Sequence, residues 1–145
     1  MSALTGFSVV HREKVRWGDL DAFGHVNNTI FFRYFESARI AYFQAATLIE
    51  NVTRVEGVGP ILAQASCQFL RPIRFPAELL VGARVTEVRT ASFKMEYAIV
   101  DANTPLDPLF ARGDSVIVMI DYATGTKVPV SETLRSRFAE LDKQS

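Results

Sequence analysis

The chain has 145 residues, and its sixteen acidic and sixteen basic residues give a formal net charge of zero. A chain of this length can bury a core without disulfide or metal support, so we expect one domain over residues 1–145. The balanced charge argues against the strongly basic surface that is typical of nucleic-acid binding. We therefore expect the partner to be a small molecule or a second copy of the chain.

The sequence carries no signal for export or membrane insertion. Residues 1–6 lack the basic and apolar regions of a signal peptide. The apolar stretch 29–49 is interrupted by Arg33, Glu36 and Arg39. We therefore expect a soluble, cytoplasmic protein without a membrane partner. The single cysteine, Cys67, lies in an alternating strand pattern, which favours a small buried side chain over a nucleophile.

The first predicted elements are one strand and one long helix. Strand-favouring residues beside charged ones predict a strand with one wet face over residues 7–16. From residue 28 to about residue 50, apolar side chains recur at spacings of three and four, as on one wide helical face. That face comprises Ile30, Phe31, Tyr34, Phe35, Ala38, Ala41, Tyr42 and Ala45. Asn27 or Asn28 can cap this helix, and Gly57, Gly59 and Pro60 predict a loop within residues 51–60.

The second half of the chain predicts four more strands and a final helix. Alternation with a period of two marks the strands, over residues 61–70, 79–89, 92–101 and 109–122. Short turns connect most of them, which favours antiparallel pairing. A helix is predicted from residues 131–132 to about residue 141. This order indicates an α+β fold, in which a curved antiparallel sheet wraps around the long helix.

The stretch between the first strand and the long helix concentrates polar side chains: Asp19, Asp21, His25, Asn27 and Asn28. Its two aspartates resemble the opening of a calcium-binding EF-hand loop, but the pattern fails further on. Phe23 replaces an oxygen ligand, and Ile30 stands at the twelfth position, where a Glu is required. The two histidines of the chain are too few and too far apart for a zinc site. We expect no metal.

Two interpretations of this polar stretch stay open. The plainer one places Asp19 and Asp21 in Asx-type turns, with His25 and the asparagines capping the helix. The chemical one starts from a carboxylate beside a helix N-terminus, where N–H groups and a partial positive charge can stabilise an oxyanion. Such a carboxylate can attack a carbonyl or deprotonate a water, which suits acyl transfer. The chain has no Gly-x-Ser-x-Gly elbow and no Gly-rich nucleotide loop that would compete.

Three runs of residues carry a family resemblance. Residues 18–28 read GDLDAFGHVNN, residues 32–39 read FRYFESAR, and residues 69–79 read FLRPIRFPAEL. Together they resemble the signature of the hotdog-fold acyl-CoA thioesterases of the 4-hydroxybenzoyl-CoA thioesterase family. The likeness extends over residues 7–130. It does not specify the acyl group.

The resemblance implies a fold, an activity and an assembly. The fold is the hotdog fold, a curved antiparallel sheet wrapped around one long helix. The activity is hydrolysis of an acyl-CoA thioester to a carboxylic acid and free CoA, with no cofactor beyond the CoA of the substrate. Subunits are expected to pair their sheets edge to edge, as a dimer or a dimer of dimers, with the thioester at a subunit interface. We therefore expect a homo-oligomer, with a homotetramer as the specific prediction.

The resemblance also implies roles for particular residues. Asp21 would be the catalytic carboxylate, as nucleophile or as general base. The carbonyl oxygen would meet N–H groups at the start of the helix, near residues 26–28, with Asn28 the preferred position. His25 would orient a water or the carbonyl, or would only order the loop. Asp19 is expected to order the loop.

The substrate adds further expectations. Coenzyme A carries phosphates, and the basic residues expected near them are Arg71, Arg74 and Lys94. The aromatic residues expected against the acyl group are Phe23, Phe31 or Phe32. The helix carboxylate Glu36 is expected to be solvated or salt-bridged. Two alternative functions stay open: hydrolysis of acyl-carrier-protein thioesters, and acyl-CoA binding without catalysis.

Overall fold

The computed structural model of the chain describes residues 3–48 and 57–143. Within these residues, five strands form one antiparallel sheet with the order β1-β3-β4-β5-β2. The strands are β1 (Val9–Lys14), β2 (Val58–Phe69), β3 (Glu78–Val88), β4 (Ser92–Asp101) and β5 (Ala111–Asp121). The helices are α1 (Asn28–Ala45) and α2 (Glu132–Lys143), and a 3-10 turn (Trp17–Asp19) follows β1. The sheet curves around α1, so the predicted α+β architecture is confirmed.

The central strands present alternating faces, as the sequence predicts. Every second residue of β4 lies in the core, and Phe93, Met95, Tyr97 and Ile99 are at most 1% exposed. In β5 the buried residues are Ala111, Gly113, Ser115, Ile117 and Met119. The alternate residues Val116, Val118 and Ile120 lie half-buried on the outer face. The core therefore lies between the inner face of the sheet and α1.

Helix α1 buries Phe31, Tyr34, Phe35, Ala38, Arg39, Tyr42 and Phe43. The Phe35 ring stacks on Tyr97 with 5.0 Å between centroids, and a Cβ at Gly113 would collide with the Phe35 ring. The close approach of helix and sheet thus depends on a glycine of the sheet. The predicted helical face is wrong at Ala45, which is exposed. It also omits two buried residues, because the curved sheet covers more of the helix than one apolar stripe.

Helix α1 ends at Ala45, earlier than predicted. The Leu48 N–H donates to the Phe43 carbonyl (2.8 Å) and the Thr47 N–H to the Gln44 carbonyl (3.1 Å), the pattern of a Schellman cap. Thr47 has the positive φ, 53°, that this cap requires and that glycine usually provides. The sequence therefore lacks the usual glycine stop signal here. The predicted end near residue 50 and the predicted loop residues 51–56 lie outside the described residues.

Strand β2 begins at Val58, so the predicted loop is wrong for residues 58–60. Pro60 is tolerated because β2 lies at the edge of the sheet formed by the described residues, where it pairs with β5 on one side. Most side chains of β2 are exposed on both faces, including Ala63, Ala65 and Phe69. Cys67 is half-buried, and burial raises the pKa of its thiol to about 11. The thiol is thus protonated at neutral pH, as expected for a side chain that is not a nucleophile.

Helix α2 closes one end of the core. The Ser131 hydroxyl oxygen accepts the Leu134 N–H at 3.1 Å and caps the helix, which confirms the predicted start. The Phe138 ring packs on Phe93 (4.8 Å between centroids) and on Tyr42 (5.8 Å). Among the described residues, neither helix has the length and apolar character needed to cross a membrane.

Candidate active site

The polar stretch between β1 and α1 folds into a small hairpin. The Asn27 N–H donates to the Asp19 carbonyl (2.9 Å), and the Asp21 N–H donates to the His25 carbonyl (2.8 Å). Leu20 and Val26, which lie between these two hydrogen bonds, form an antiparallel β-bridge. Gly24 lies at the tip with a φ of +81°, a conformation that side chains rarely adopt. The hairpin sets the position of Asp21 relative to the start of α1.

The Asp21 carboxylate has one oxygen committed to this hairpin. Its Oδ1 atom accepts the N–H of Phe23 (2.8 Å) and that of His25 (3.4 Å), so an Asx-type turn does form. Its Oδ2 atom has no hydrogen-bond partner within residues 3–48 and 57–143. The side chain is half-buried and lines a cleft. The plain interpretation and the chemical one are therefore compatible, because each describes a different oxygen.

At the N-terminus of α1, one amide has no acceptor within the described residues. The Val26 N–H donates to the Ile73 carbonyl (2.8 Å), and the Asn27 N–H is used by the hairpin. Asn27 is the N-cap, and its Oδ1 atom accepts the Thr29 N–H at 3.0 Å. In the described part of the chain, only the Asn28 N–H of residues 26–29 lacks a partner. With the positive end of the helix dipole behind it, this amide can stabilise an oxyanion.

A cleft of about 240 Å³ joins these groups to the segment that follows β2. It is lined by Asp21, His25, Val26, Asn28, Phe31, Phe69, Leu70, Arg71 and Pro72. The structure thus brings together the three predicted catalytic residues and one predicted CoA-binding residue. The His25 side chain is half-buried there and makes no hydrogen bond within the described residues. A carboxylate and an oxyanion donor on one cleft can catalyse acyl transfer.

The three predicted phosphate-binding residues differ in position. The Arg71 guanidinium stacks over the Phe110 ring, 4.3 Å from its centroid, and its Nη2 atom donates to the Pro108 carbonyl. Arg71 is therefore held in place at the cleft. Arg74 is exposed near this segment. Lys94 lies on the outer face of β4, because its neighbours in the strand face the core, and it is not brought near the cleft within one protomer.

The three aromatic residues predicted to contact the acyl group also lie at different places. Phe31 lines the cleft and meets Phe69 edge-on, with 5.0 Å between centroids. Phe32 lines a neighbouring groove beside β2, and Phe23 is 85% exposed at the hairpin tip. Glu36 also lines this groove and not the cleft; its carboxylate is 63% exposed and 4.0 Å from the Arg39 guanidinium. Glu36 is thus a largely solvated, loosely paired residue, as predicted.

A second polar cluster, which the sequence analysis missed, lies further along α1. Arg39 is only 8% exposed and donates to the Tyr97 hydroxyl at 3.2 Å. The Tyr97 hydroxyl also hydrogen-bonds the Ser115 hydroxyl at 2.6 Å, and burial raises the pKa of Tyr97. The three residues come from α1, β4 and β5. No local signal could have found this cluster, because its members meet only in the folded chain.

Comparison with known proteins relates the chain to thioesterases. Residues 15–138 match the model of the thioesterase-like superfamily. The uncharacterized protein YsmA of Bacillus subtilis (strain 168) is 30% identical over 124 residues, which are 86% of this chain and 80% of YsmA. The chloroplastic acyl-acyl carrier protein thioesterase ATL3 of Arabidopsis thaliana is 24% identical over 131 residues, 90% of this chain and 67% of that protein.

A solved structure extends the likeness to nearly the whole chain. It is a thioesterase from Thermus thermophilus, complexed with coenzyme A and zinc. It is 32% identical, with a TM-score of 0.82 over 97% of this chain and 98% of that chain. The sequence and the architecture thus both relate the chain to the thioesterase-like superfamily.

Proposed function

Because the chain belongs to the thioesterase-like superfamily, we propose that it hydrolyses an acyl-CoA thioester to a carboxylic acid and free CoA. The superfamily and its named thioesterase relatives support thioester hydrolysis in general. The observation that carries the finer proposal is the single cleft in which the Asp21 carboxylate lies with the unpartnered Asn28 amide. The coenzyme A bound to the Thermus thermophilus thioesterase supports CoA as the leaving group.

The proposed chemistry uses both groups. The thioester carbonyl oxygen accepts the Asn28 N–H, which stabilises the negative charge that develops on it. In one route, an Asp21 oxygen attacks the carbonyl carbon, the C–S bond breaks, CoA leaves as a thiolate, and water hydrolyses the resulting anhydride. In the other route, Asp21 takes a proton from a water that attacks the same carbon. ¹⁸O from water found in an Asp21-containing peptide after turnover would establish the first route, with water attacking the Asp21 carboxyl carbon of the anhydride; water attack on the acyl carbon leaves Asp21 unlabelled in either route.

Release of free thiol tests the proposal. The purified chain is assayed against aryl, short, long and branched acyl-CoA thioesters, and against the same acyl groups on acyl carrier protein. We expect turnover of at least one acyl-CoA class, with a higher kcat/KM than for its carrier-protein counterpart. The opposite preference would favour the second candidate function, to which the likeness to ATL3 points. Binding across the whole panel without thiol release would make the chain an acyl-CoA-binding protein and contradict the proposal.

The free edge of the sheet supports an assembly. Strand β2 contains no charged residue, exposes both faces, and leads directly into the cleft through Phe69 and Leu70. Long uncharged edge strands invite pairing with another strand. We propose that two copies pair along β2, as a dimer or a dimer of dimers, so that the cleft lies at their interface.

A charge in the middle of β2 tests this assembly. Ala65 is exposed there, and Val10 is 47% exposed on β1, the opposite edge. We expect Ala65→Lys to shift the chain to monomer in sedimentation velocity and to lower turnover, while Val10→Lys leaves both unchanged. An Ala65→Lys variant with the wild-type mass and turnover would contradict the pairing.

A further inference from the structure

One buried hydroxyl connects helix α1 to the hairpin. Tyr34 is 2% exposed in the second turn of α1, and its hydroxyl donates to the Asp19 Oδ2 atom at 2.7 Å. The same oxygen accepts the Arg16 N–H at 3.0 Å. Burial, reinforced by the neighbouring Asp19, raises the pKa of Tyr34, so the hydroxyl keeps its proton and remains a donor. The bond is a charge-assisted one, the stronger class of hydrogen bond.

The two residues of this bond belong to the two halves of the candidate site. Asp19 lies on the hairpin arm that continues to Asp21. Tyr34 lies on the helix whose first residue, Asn28, presents the unpartnered amide. The backbone of Asp19 is also tied to the helix side, through the Asn27 N–H. The hydroxyl therefore adds a side-chain bond between the arm with the carboxylate and the helix with the oxyanion donor.

We propose that Tyr34 and Asp19 are positioning residues, whose hydrogen bond fixes the Asp21 carboxylate relative to the Asn28 amide. This inference deepens the proposed function and rests on it. Neither residue lines the cleft, so we expect both to act through the position of Asp21 and not by contact with the substrate. Rates of acyl transfer depend steeply on the placement of the reacting groups. Loss of the bond should thus lower kcat more than it weakens substrate binding.

A matched set of variants separates positioning from general stability. Tyr34→Phe removes only the hydroxyl. Tyr42→Phe is the control for loss of a buried hydroxyl on the same helix, because the Tyr42 hydroxyl has no hydrogen-bond partner among the described residues. Tyr97→Phe is the control for loss of buried hydrogen bonds, because it removes the hydroxyl that Arg39 and Ser115 share. Asp19→Asn keeps an oxygen that can accept both bonds, whereas Asp19→Ala removes it.

The readouts are kcat, KM and amide hydrogen exchange by NMR at Asp21 and Asn27, whose N–H groups are both bonded within the hairpin. For Tyr34→Phe and Asp19→Ala we expect a kcat about tenfold lower, a KM within about twofold of wild type, and clearly faster exchange at both amides. Asp19→Asn should retain kcat within about threefold, and Tyr42→Phe should change neither kcat nor exchange at these amides.

Failure of this inference is distinguishable from failure of the proposed function. Wild-type kcat and unchanged hairpin exchange in Tyr34→Phe would overturn the inference, as would equal losses of kcat in Tyr34→Phe and Tyr97→Phe. A wild-type chain that hydrolyses no thioester would refute the proposed function. Exchange at Asp21 and Asn27 would then still decide whether the Tyr34–Asp19 bond holds the hairpin.

Discussion

Two polar sites lie along helix α1, and they differ in how their polar groups are satisfied. At the N-terminus, the Asp21 Oδ2 atom and the Asn28 N–H have no partner within the described residues, and both residues line an open cleft. Further along, Arg39, Tyr97 and Ser115 are at most 8% exposed, and the Tyr97 hydroxyl hydrogen-bonds both Arg39 and Ser115. Each site joins the same helix to residues that are distant in the chain.

The difference separates a site suited to chemistry from one suited to stability. A buried polar group is costly unless it is paired, and a paired buried network stabilises one specific packing. Catalysis instead needs donors and acceptors that are held in place but remain available to the substrate. We therefore expect substitutions at the hairpin to change turnover, and substitutions in the buried cluster to change the free energy of unfolding.

The largest expected effect is at Asp21. Asp21→Asn keeps the Oδ1 acceptor of the hairpin but removes the charge, so kcat should fall about 10³-fold while Tm stays close to wild type. Glu36→Gln is the control, because it neutralises the exposed carboxylate of α1 outside the cleft. Thiol release and thermal unfolding measure the two quantities. Undiminished turnover in Asp21→Asn, or an equal loss in Glu36→Gln, would contradict the role of Asp21.

The next effect concerns the Asn28 N–H. Proline is well tolerated at the first position of a helix, and Asn27 already has the extended conformation (φ −61°, ψ 140°) that a following proline requires. Asn28→Pro removes the N–H while keeping the helix, and should lower kcat about 10²-fold. Asn28→Ala keeps the N–H and should retain nearly full kcat. If Asn28→Ala lowered kcat more than Asn28→Pro did, the role would belong to the Asn28 side chain and not to its backbone N–H.

The buried cluster should show the opposite behaviour. Tyr97→Phe leaves the Arg39 guanidinium and the Ser115 hydroxyl without the partner they share, so the free energy of unfolding should fall by about 1–3 kcal/mol. Turnover of the folded protein should stay close to wild type. Urea unfolding and thiol release on the same sample test both parts. A loss of kcat without a loss of stability would remove the distinction between the two sites.

The smallest expected effect is at the rim of the cleft. Arg71→Gln removes the charge held over Phe110, and should raise KM for an acyl-CoA about fivefold at low salt, with kcat unchanged. High salt should reduce the difference, since screening weakens charge interactions. Lys94→Gln is the comparison, because Lys94 lies on the outer face of the sheet. A larger effect at Lys94 than at Arg71 would show that the CoA phosphates are bound across a subunit interface.

The sequence predicts the elements that depend on local patterns. Strand β4 covers residues 92–101, as its alternating pattern predicts. Asn27 and Asn28 were the two candidates for the N-cap of α1, and Asn27 is the N-cap. The Asx turn of Asp21 and the glycine at the hairpin tip also follow from local chemistry. These features depend on hydrogen bonds between residues within a few positions of each other.

Other features depend on partners that are distant in the chain. Pro60 lies inside a strand because that strand is at the sheet edge. Arg39 is buried with a partner because Tyr97 of β4 supplies a hydroxyl to it, and Ser115 of β5 hydrogen-bonds that hydroxyl in turn. Thr47 has a positive φ just after the end of α1, at a position where a glycine in the sequence would have predicted the end of the helix. The separation of Lys94 from the cleft follows from the face of the sheet on which it lies.

The candidate site combines both kinds of information. The sequence by itself determined that a carboxylate precedes a helix N-terminus, and the family resemblance predicts the oxyanion donor near residues 26–28, with Asn28 preferred. The tertiary structure leaves the Asn28 N–H without an acceptor among the described residues, because the carbonyl of Ile73, from the segment between β2 and β3, accepts the Val26 N–H, and the Asp19 carbonyl accepts the Asn27 N–H. An amide is available to a substrate only when no other part of the folded chain has taken it.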